Sequence, residues 1–155
     1  MRTRWIAIAV ALIGAVLLAL SAIEAWWRAG EVAIGPFGSH HCFGGDCKST
    51  GLAWIGGTDL WLRSAVATRA AAIIASILLV IMAGGLAARR VPRLIARSTL
   101  VALAAAVATG SYFVAKFPSL GGTSLDIGAF LYGAGVVMGL VAAVLTLRLP
   151  ITADR

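Results

Sequence analysis

Charge is what this 155-residue sequence has least of. Asp, Glu, Lys and Arg make up 12% of the residues, with six acids in all, against 61% hydrophobic residues. That is too little polar surface to coat a water-soluble globule, so the chain reads as a membrane protein. Cysteine is scarce as well: there are two, Cys42 and Cys47, and neither is near a terminus, so no lipid-attachment signal is evident. Internal repeats and low-complexity linkers are missing, as is any glycine-rich loop between a strand and a helix. No Ser/His/Asp arrangement can be anchored, and Asp59 and Asp126 are isolated acids. Nothing therefore points to an enzyme, and no cofactor is expected. The middle of each hydrophobic run lacks charge, which argues against a channel or transporter path.

What is present is four long apolar runs. Crossing a hydrocarbon layer of about 30 Å takes about 20 such residues per helix, and helices are expected over about 5–27, 64–88, 94–115 and 125–147. They leave a long loop at about 29–63 and a short one at about 116–124. A single four-span domain uses up the chain, with the fold class a four-transmembrane-helix bundle. The first run follows Arg2 and Arg4 as a signal peptide would, but it is too long and ends at Glu24-Ala25-Trp26-Trp27 rather than at a small-residue cleavage site, so it reads as a helix. Small residues recur every four positions: Ala7, Ala11, Ala15 and Ala19 in the first helix, Ala102, Ala106 and Gly110 in the third, Gly135, Gly139 and Ala143 in the last. In lipid, helices associate by packing, and smooth stripes of this kind allow close approach.

A net charge of +7 in a soluble protein would suggest nucleic acid. Here Arg2, Arg4, Arg89, Arg90, Arg93, Arg97, Arg148 and Arg155 occupy the two termini and the middle connection, opposed by Asp154 alone. On the other side Arg28, Lys48, Arg63, Arg69 and Lys116 balance Glu24, Glu31, Asp46, Asp59 and Asp126. The excess sits on one face, the positive-inside pattern, so both termini are expected in the cytoplasm and loop 29–63 outside a plasma (inner) membrane. The expected partners are the lipid bilayer and another membrane protein or a second copy, with no nucleic acid.

The long loop holds both cysteines, both histidines (His40 and His41), and Trp54 and Trp61. Cys42 and Cys47 enclose Phe43-Gly44-Gly45-Asp46, and a Gly-Gly pair between two short runs signals a hairpin. Cysteines on its two arms come within disulfide reach, and an outer loop faces oxidising conditions, so a structural disulfide is expected. Val32-Ala33-Ile34 and Leu52-Ala53-Trp54-Ile55 are β-prone, giving a small antiparallel sheet of three to five strands over the bundle. Trp26, Trp27, Trp54 and Trp61 would anchor it to helix ends or headgroups, and Arg63 or Arg69 would tie the loop to the bundle. Two alternatives use the same residues. One is a metal site drawn from His40, His41, Cys42, Asp46 and Cys47, though it lacks the CxxC spacing. The other is thiol–disulfide exchange, for which one cysteine pair is short of the usual two.

This order of features resembles the claudin, peripheral myelin protein and TARP-like superfamily of four-span proteins. The match runs through Trp26 or Trp27 after the first helix, Cys42 and Cys47, and Arg63 or Arg69 before the second. At the start of the last helix, Leu125-Asp126-Ile127-Gly128-Ala129-Phe130-Leu131-Tyr132-Gly133 is similar to the claudin run. The Gly-Leu-Trp motif is absent before Cys42, where Gly38-Ser39-His40-His41 stands, and the cysteine spacing is shorter. The resemblance implies cytoplasmic termini, a first outer loop folded as a disulfide-pinned sheet, and a role in adhesion, self-assembly or cell junctions, or as an accessory subunit. It implies helix packing through Gly128, Ala129, Tyr132, Gly135 and Gly139. Composition rich in alanine and arginine fits a distant bacterial member.

Overall fold

The computed structural model describes residues 2–90, 93–118 and 120–149. Val91 and Pro92 of the basic turn, and Asp154 and Arg155, lie outside the described residues. Four helices are present: α1 (Arg2–Ser21), α2 (Asp59–Ala87), α3 (Arg93–Ala115) and α4 (Ile127–Arg148). All four are long and apolar enough to cross a membrane; at about 1.5 Å per residue they measure roughly 30 to 43 Å. Large aliphatic side chains face outward around the bundle, among them Ile6, Val66, Ile77, Val101 and Val137, an arrangement that is stable against acyl chains and not against water. The chain is an integral multi-pass membrane protein.

The interior is built from small residues. Ala7, Ala11 and Ala15 of α1, Ala72, Ala75 and Ala83 of α2, Ala106 of α3 and Ala142 and Ala143 of α4 are all buried. Around the bundle α3 packs on α2, α2 on α1 and α1 on α4, while α3 closes on α4 more loosely. The α1–α4 contact is backbone to backbone: a Cβ on Gly14 would stand 3.0 Å from the Gly139 nitrogen and 3.3 Å from the Gly135 carbonyl oxygen. Close approach of this sort is how small-residue stripes hold helices together in lipid. Ala19, counted into the α1 stripe by its four-residue spacing, is exposed, and Leu18 is buried in its place. A 3.6-residue helix rotates a strict four-residue repeat off its face within a few turns.

At one end of the bundle lies a five-stranded antiparallel sheet: β1 (Trp27–Ala29), β2 (Val32–Gly35), β3 (Gly38–Phe43), β4 (Asp46–Thr50) and β5 (Ser124–Leu125), in the order β4-β3-β2-β1-β5. Four strands come from the long loop between α1 and α2. The fifth comes from the short connection between α3 and α4, so the sheet joins both connections at this end. The β3–β4 hairpin turns through Gly44 and Gly45 at φ 58° and 93°, two consecutive left-handed positions that glycine adopts without a Cβ penalty.

Several element boundaries differ from those expected. α1 ends at Ser21 rather than near Trp27, because Trp26 is drawn into the sheet: its N–H donates to the Ile34 carbonyl and its own carbonyl accepts from Asp126 N, both at 2.8 Å. An apolar Trp-Trp pair suits a buried strand as well as a helix, so hydropathy does not mark the change. α2 starts at Asp59, not Ser64, with Thr58 as its N-cap accepting from Trp61 N at 3.2 Å. The Thr-Asp pair is a helix-start signal that hydropathy overlooks. Residues 53–55, expected to be extended, form a 3-10 turn, closed by Gly56 at φ 80°. α4 begins at Ile127 under an Asp126 N-cap.

Candidate functional site

The sheet has two unlike faces, set by the pairing register. Trp27 stands opposite Ile34, Ile34 opposite Ser39, and Ser39 opposite Thr50. Trp27, Ile34 and Ser39 are buried, so this face rests on the helices. The alternate residues face away: Arg28 with Ala33 and His40, then Ser49, Cys42 and Cys47.

Beneath the first face the aromatic residues form one cluster at the helix ends. The Trp26 ring lies 4.7 Å from Tyr132 and 5.6 Å from Phe113, centroid to centroid. Trp27 stacks on Phe117 at 4.1 Å, and Trp61 stacks on Phe113 at 5.2 Å. Two of the three buried indoles, those of Trp26 and Trp61, also cap helices. Ser21 ends α1, and its carbonyl accepts from Trp26 Nε1 at 2.9 Å. Near the end of α3, Lys116 N is bonded to Tyr112 O and Phe117 N to Val114 O, while Phe113 O accepts from Trp61 Nε1 at 2.9 Å. Terminal helix carbonyls have no partner within the helix, and in an apolar setting an unpaired one is costly. Trp26 and Trp61 therefore fill the space under the sheet with their rings and each satisfy a helix end with an N–H.

The expected anchors thus divide. Trp26, Trp27 and Trp61 are buried in the cluster, the last of them inside α2 rather than in the loop. Trp54 is 53% exposed and is held by its Nε1–H, which donates to Ser39 Oγ at 2.7 Å. Phe113 and Phe117 were not singled out by sequence reasoning; aromatic residues spaced four apart at a helix end were the available signal. Of the helix-packing residues, Gly128 meets the α1–β1 junction, where its N–H donates to Ala25 O at 2.8 Å. Ala129 is half-buried against the core. Tyr132 reaches across to α3, its hydroxyl donating to Ala106 O at 2.6 Å, over a Gly110 whose missing Cβ leaves room for the ring. Gly135 faces Leu17 and Leu18 of α1, whereas Gly139 turns toward Leu103 of α3 and Leu79 of α2 and meets α1 only through its backbone, against Gly14.

Arg63 and Arg69, expected to tie the loop to the bundle, are both exposed on α2 and make no hydrogen bond or ion pair among the described residues. Arg28 and Asp126 make the tie. Arg28 Nε donates to the Asp126 carboxylate at 2.7 Å, joining β1 to the start of α4. Asp126, far from isolated, also accepts from Ile127 N at 2.7 Å. That backbone bond first, and then Arg28, hold its carboxyl below the ordinary carboxylate range. A folded-state pKa lowered in this way stabilises fully above the unfolded value of 3.8, and the contribution is lost as pH falls through the lower folded value. The protection of the β1–β5 amides against hydrogen exchange, corrected for the intrinsic pH dependence of exchange, should therefore fall in acid, below about pH 4, in the parent protein and stay flat in Asp126→Ala. Equal pH profiles for the two would refute the assignment.

On the away-facing side, Cys42 and Cys47 are cross-strand partners joined by a disulfide. His40 shares their face: its Nε2 lies 3.6 Å from Cys42 Sγ, and its Nδ1 is 3.0 Å from Ser49 Oγ. His41 alternates to the other face, where with Val32, Thr50 and Trp54 it lines an open apolar recess. His40 and His41 therefore cannot serve one ion. Because the disulfide lies on the face turned away from the helices, its loss is expected to be local. Cys42→Ser/Cys47→Ser should cost about 2 kcal/mol of hairpin order, seen as faster proteolysis at Gly44-Gly45 with the helical circular-dichroism signal intact. Collapse of that signal would show that the bridge supports the bundle.

The chain matches no known family model, no characterised protein and no solved structure.

Proposed function

We propose that this is a non-enzymatic, claudin-like membrane protein whose disulfide-pinned loop makes contacts outside the membrane, either with a second copy in adhesion or self-assembly or as an accessory subunit of a larger membrane complex. The arginine asymmetry supports an orientation with both termini cytoplasmic and the sheet outside. One observation carries the reading: the sheet is bolted to the helices through β1, β2 and β5, whereas every residue of β4 is exposed and forms an open edge. A sheet built only to seal the bundle end would not need a stapled hairpin projecting past the aromatic cluster. Polar Asp46, Lys48, Ser49 and Thr50 keep that edge soluble while leaving its backbone groups available to a partner strand or loop.

The test is site-specific photocrosslinking from Lys48 in native membranes, with the same probe at Arg2 as the control for the opposite end. A discrete crosslink from position 48, to the chain itself or to one integral membrane protein, is the expected result. Only lipid adducts from position 48 would overturn the proposal.

A further inference from the structure

We propose that His40, Cys42 and Cys47 form a copper(I) site that is closed by the disulfide and opened by its reduction. The inference is independent of whether the loop binds a protein partner. Its basis is the juxtaposition on the away-facing side of β3 and β4, where the ligand atoms of these three residues lie within 4.8 Å of one another.

The geometry is prepared by the backbone rather than by the bridge. Cys42 and Cys47 are direct cross-strand partners, and the flanking pairs His41–Lys48 and Ser39–Thr50 continue the ladder. Two strands held in this register keep the sulfurs adjacent after the S–S bond is cut. His40 is two residues before Cys42 on the same strand, so its side chain projects from the same face. Ser49 supplies a separate indication. Metal-binding imidazoles characteristically engage a partner through the ring nitrogen that does not bind the metal, fixing tautomer and orientation. Here Nδ1 is engaged by Ser49 Oγ at 3.0 Å while Nε2 points at the cysteine sulfur. With Nδ1–H donating to Ser49, Nε2 presents its lone pair to the site.

Opening requires a two-electron reductant, which a pair of thiols supplies. Two reductant thiols give up two electrons and form their own disulfide, the Cys42–Cys47 bond breaks, and two cysteine thiols result. Cys47 is exposed and Cys42 half-buried, so attack begins at the Cys47 sulfur. Binding then releases the two thiol protons as the thiolates take the ion. The donor set selects the metal. Two thiolates and one imidazole are soft ligands, suited to copper(I) or zinc. Zinc in a structural site takes four protein ligands, and among the described residues no fourth joins this face: Asp46 pairs with Phe43 and His41 with Lys48, so both alternate to the other side. Three donors suffice for copper(I).

The test uses the full chain in lipid nanodiscs, either oxidised or treated with a non-thiol reductant, titrated with copper(I) against a competing chromophoric chelator. The reduced protein is expected to take one copper(I) per chain and the oxidised protein none, with X-ray absorption reporting two sulfurs and one nitrogen. His40→Ala should weaken binding at least about tenfold, whereas His41→Ala should leave it unchanged. Circular dichroism of each variant checks that the helices are retained. Equal uptake by the oxidised and reduced forms, no effect of His40→Ala, or preferential uptake of zinc(II) by the reduced form would each overturn the proposal.

Discussion

Gly128→Ala is expected to destabilise the protein by about 3 kcal/mol, at the top of the usual range for overpacking, although it adds a single methyl to a residue in the first turn of a helix. The reason is what the methyl meets. A Cβ there would lie 2.5 Å from the Ala25 carbonyl oxygen, 2.8 Å from that of Glu24 and 2.7 Å from Trp26 Cδ1. Two of the three are backbone atoms, so no side chain can rotate away, and α4 must move off the α1–β1 junction. That shift also breaks the bond from Gly128 N to Ala25 O and loosens the aromatic cluster above Tyr132. Gly133→Ala is the control: one turn further along the same helix, its Cβ would find nothing within 4 Å, and the change should stay within about 1 kcal/mol. Thermal unfolding of the two variants in one lipid or detergent condition decides the matter. Equal midpoints would mean that α4 does not seat on that junction.

Trp61→Ala should cost about 3–5 kcal/mol, the usual range for removing a buried aromatic residue. The side chain is fully buried, and it stacks on Phe113 while capping the end of α3. The order Lys116-Phe117-Pro118 creates the need for that cap. Phe117 N turns back to Val114 O, and Pro118 carries no N–H to offer, so the Phe113 carbonyl is completed by the indole alone among the described residues. Trp61→Phe separates the two roles: it keeps a stacking ring but leaves a buried carbonyl unpaired, at about 1–3 kcal/mol. It should therefore fall between the parent and Trp61→Ala. If the phenylalanine variant is as stable as the parent, the capping role is wrong even though the packing role stands. Gly57 belongs to the same device, since a Cβ there would overlap the Trp61 ring.

The four spans were legible because bilayer crossing is a property of composition and length. Hydropathy over about 20 residues needs no tertiary information. The hairpin at Gly44-Gly45 was legible for a local reason: consecutive left-handed backbone positions admit few residues other than glycine, and cysteines placed symmetrically about such a turn fall opposite each other. Element ends were less legible, since Trp26 and Trp27 satisfy both a helix and a strand on hydropathy, and 52–55 is β-prone by composition yet forms a 3-10 turn. Arg28 shows where local reasoning stops. Three basic residues flank the long loop near its helices, and sequence proximity favoured Arg63 and Arg69. The partner, Asp126, is 98 positions from Arg28, brought there by the pairing of β1 with β5.

The sequence by itself determined that this chain lives in a bilayer, how many times it crosses, and that its polar chemistry is concentrated in one loop. These follow from summed transfer free energies and from turn stereochemistry, which are additive or local. Only the tertiary structure decided that the short connection contributes a strand to the sheet of the long one and that two tryptophans finish two helices. Those outcomes depend on register, where a shift of one residue exchanges the two faces of a strand, and register is fixed by contacts between segments far apart in the chain.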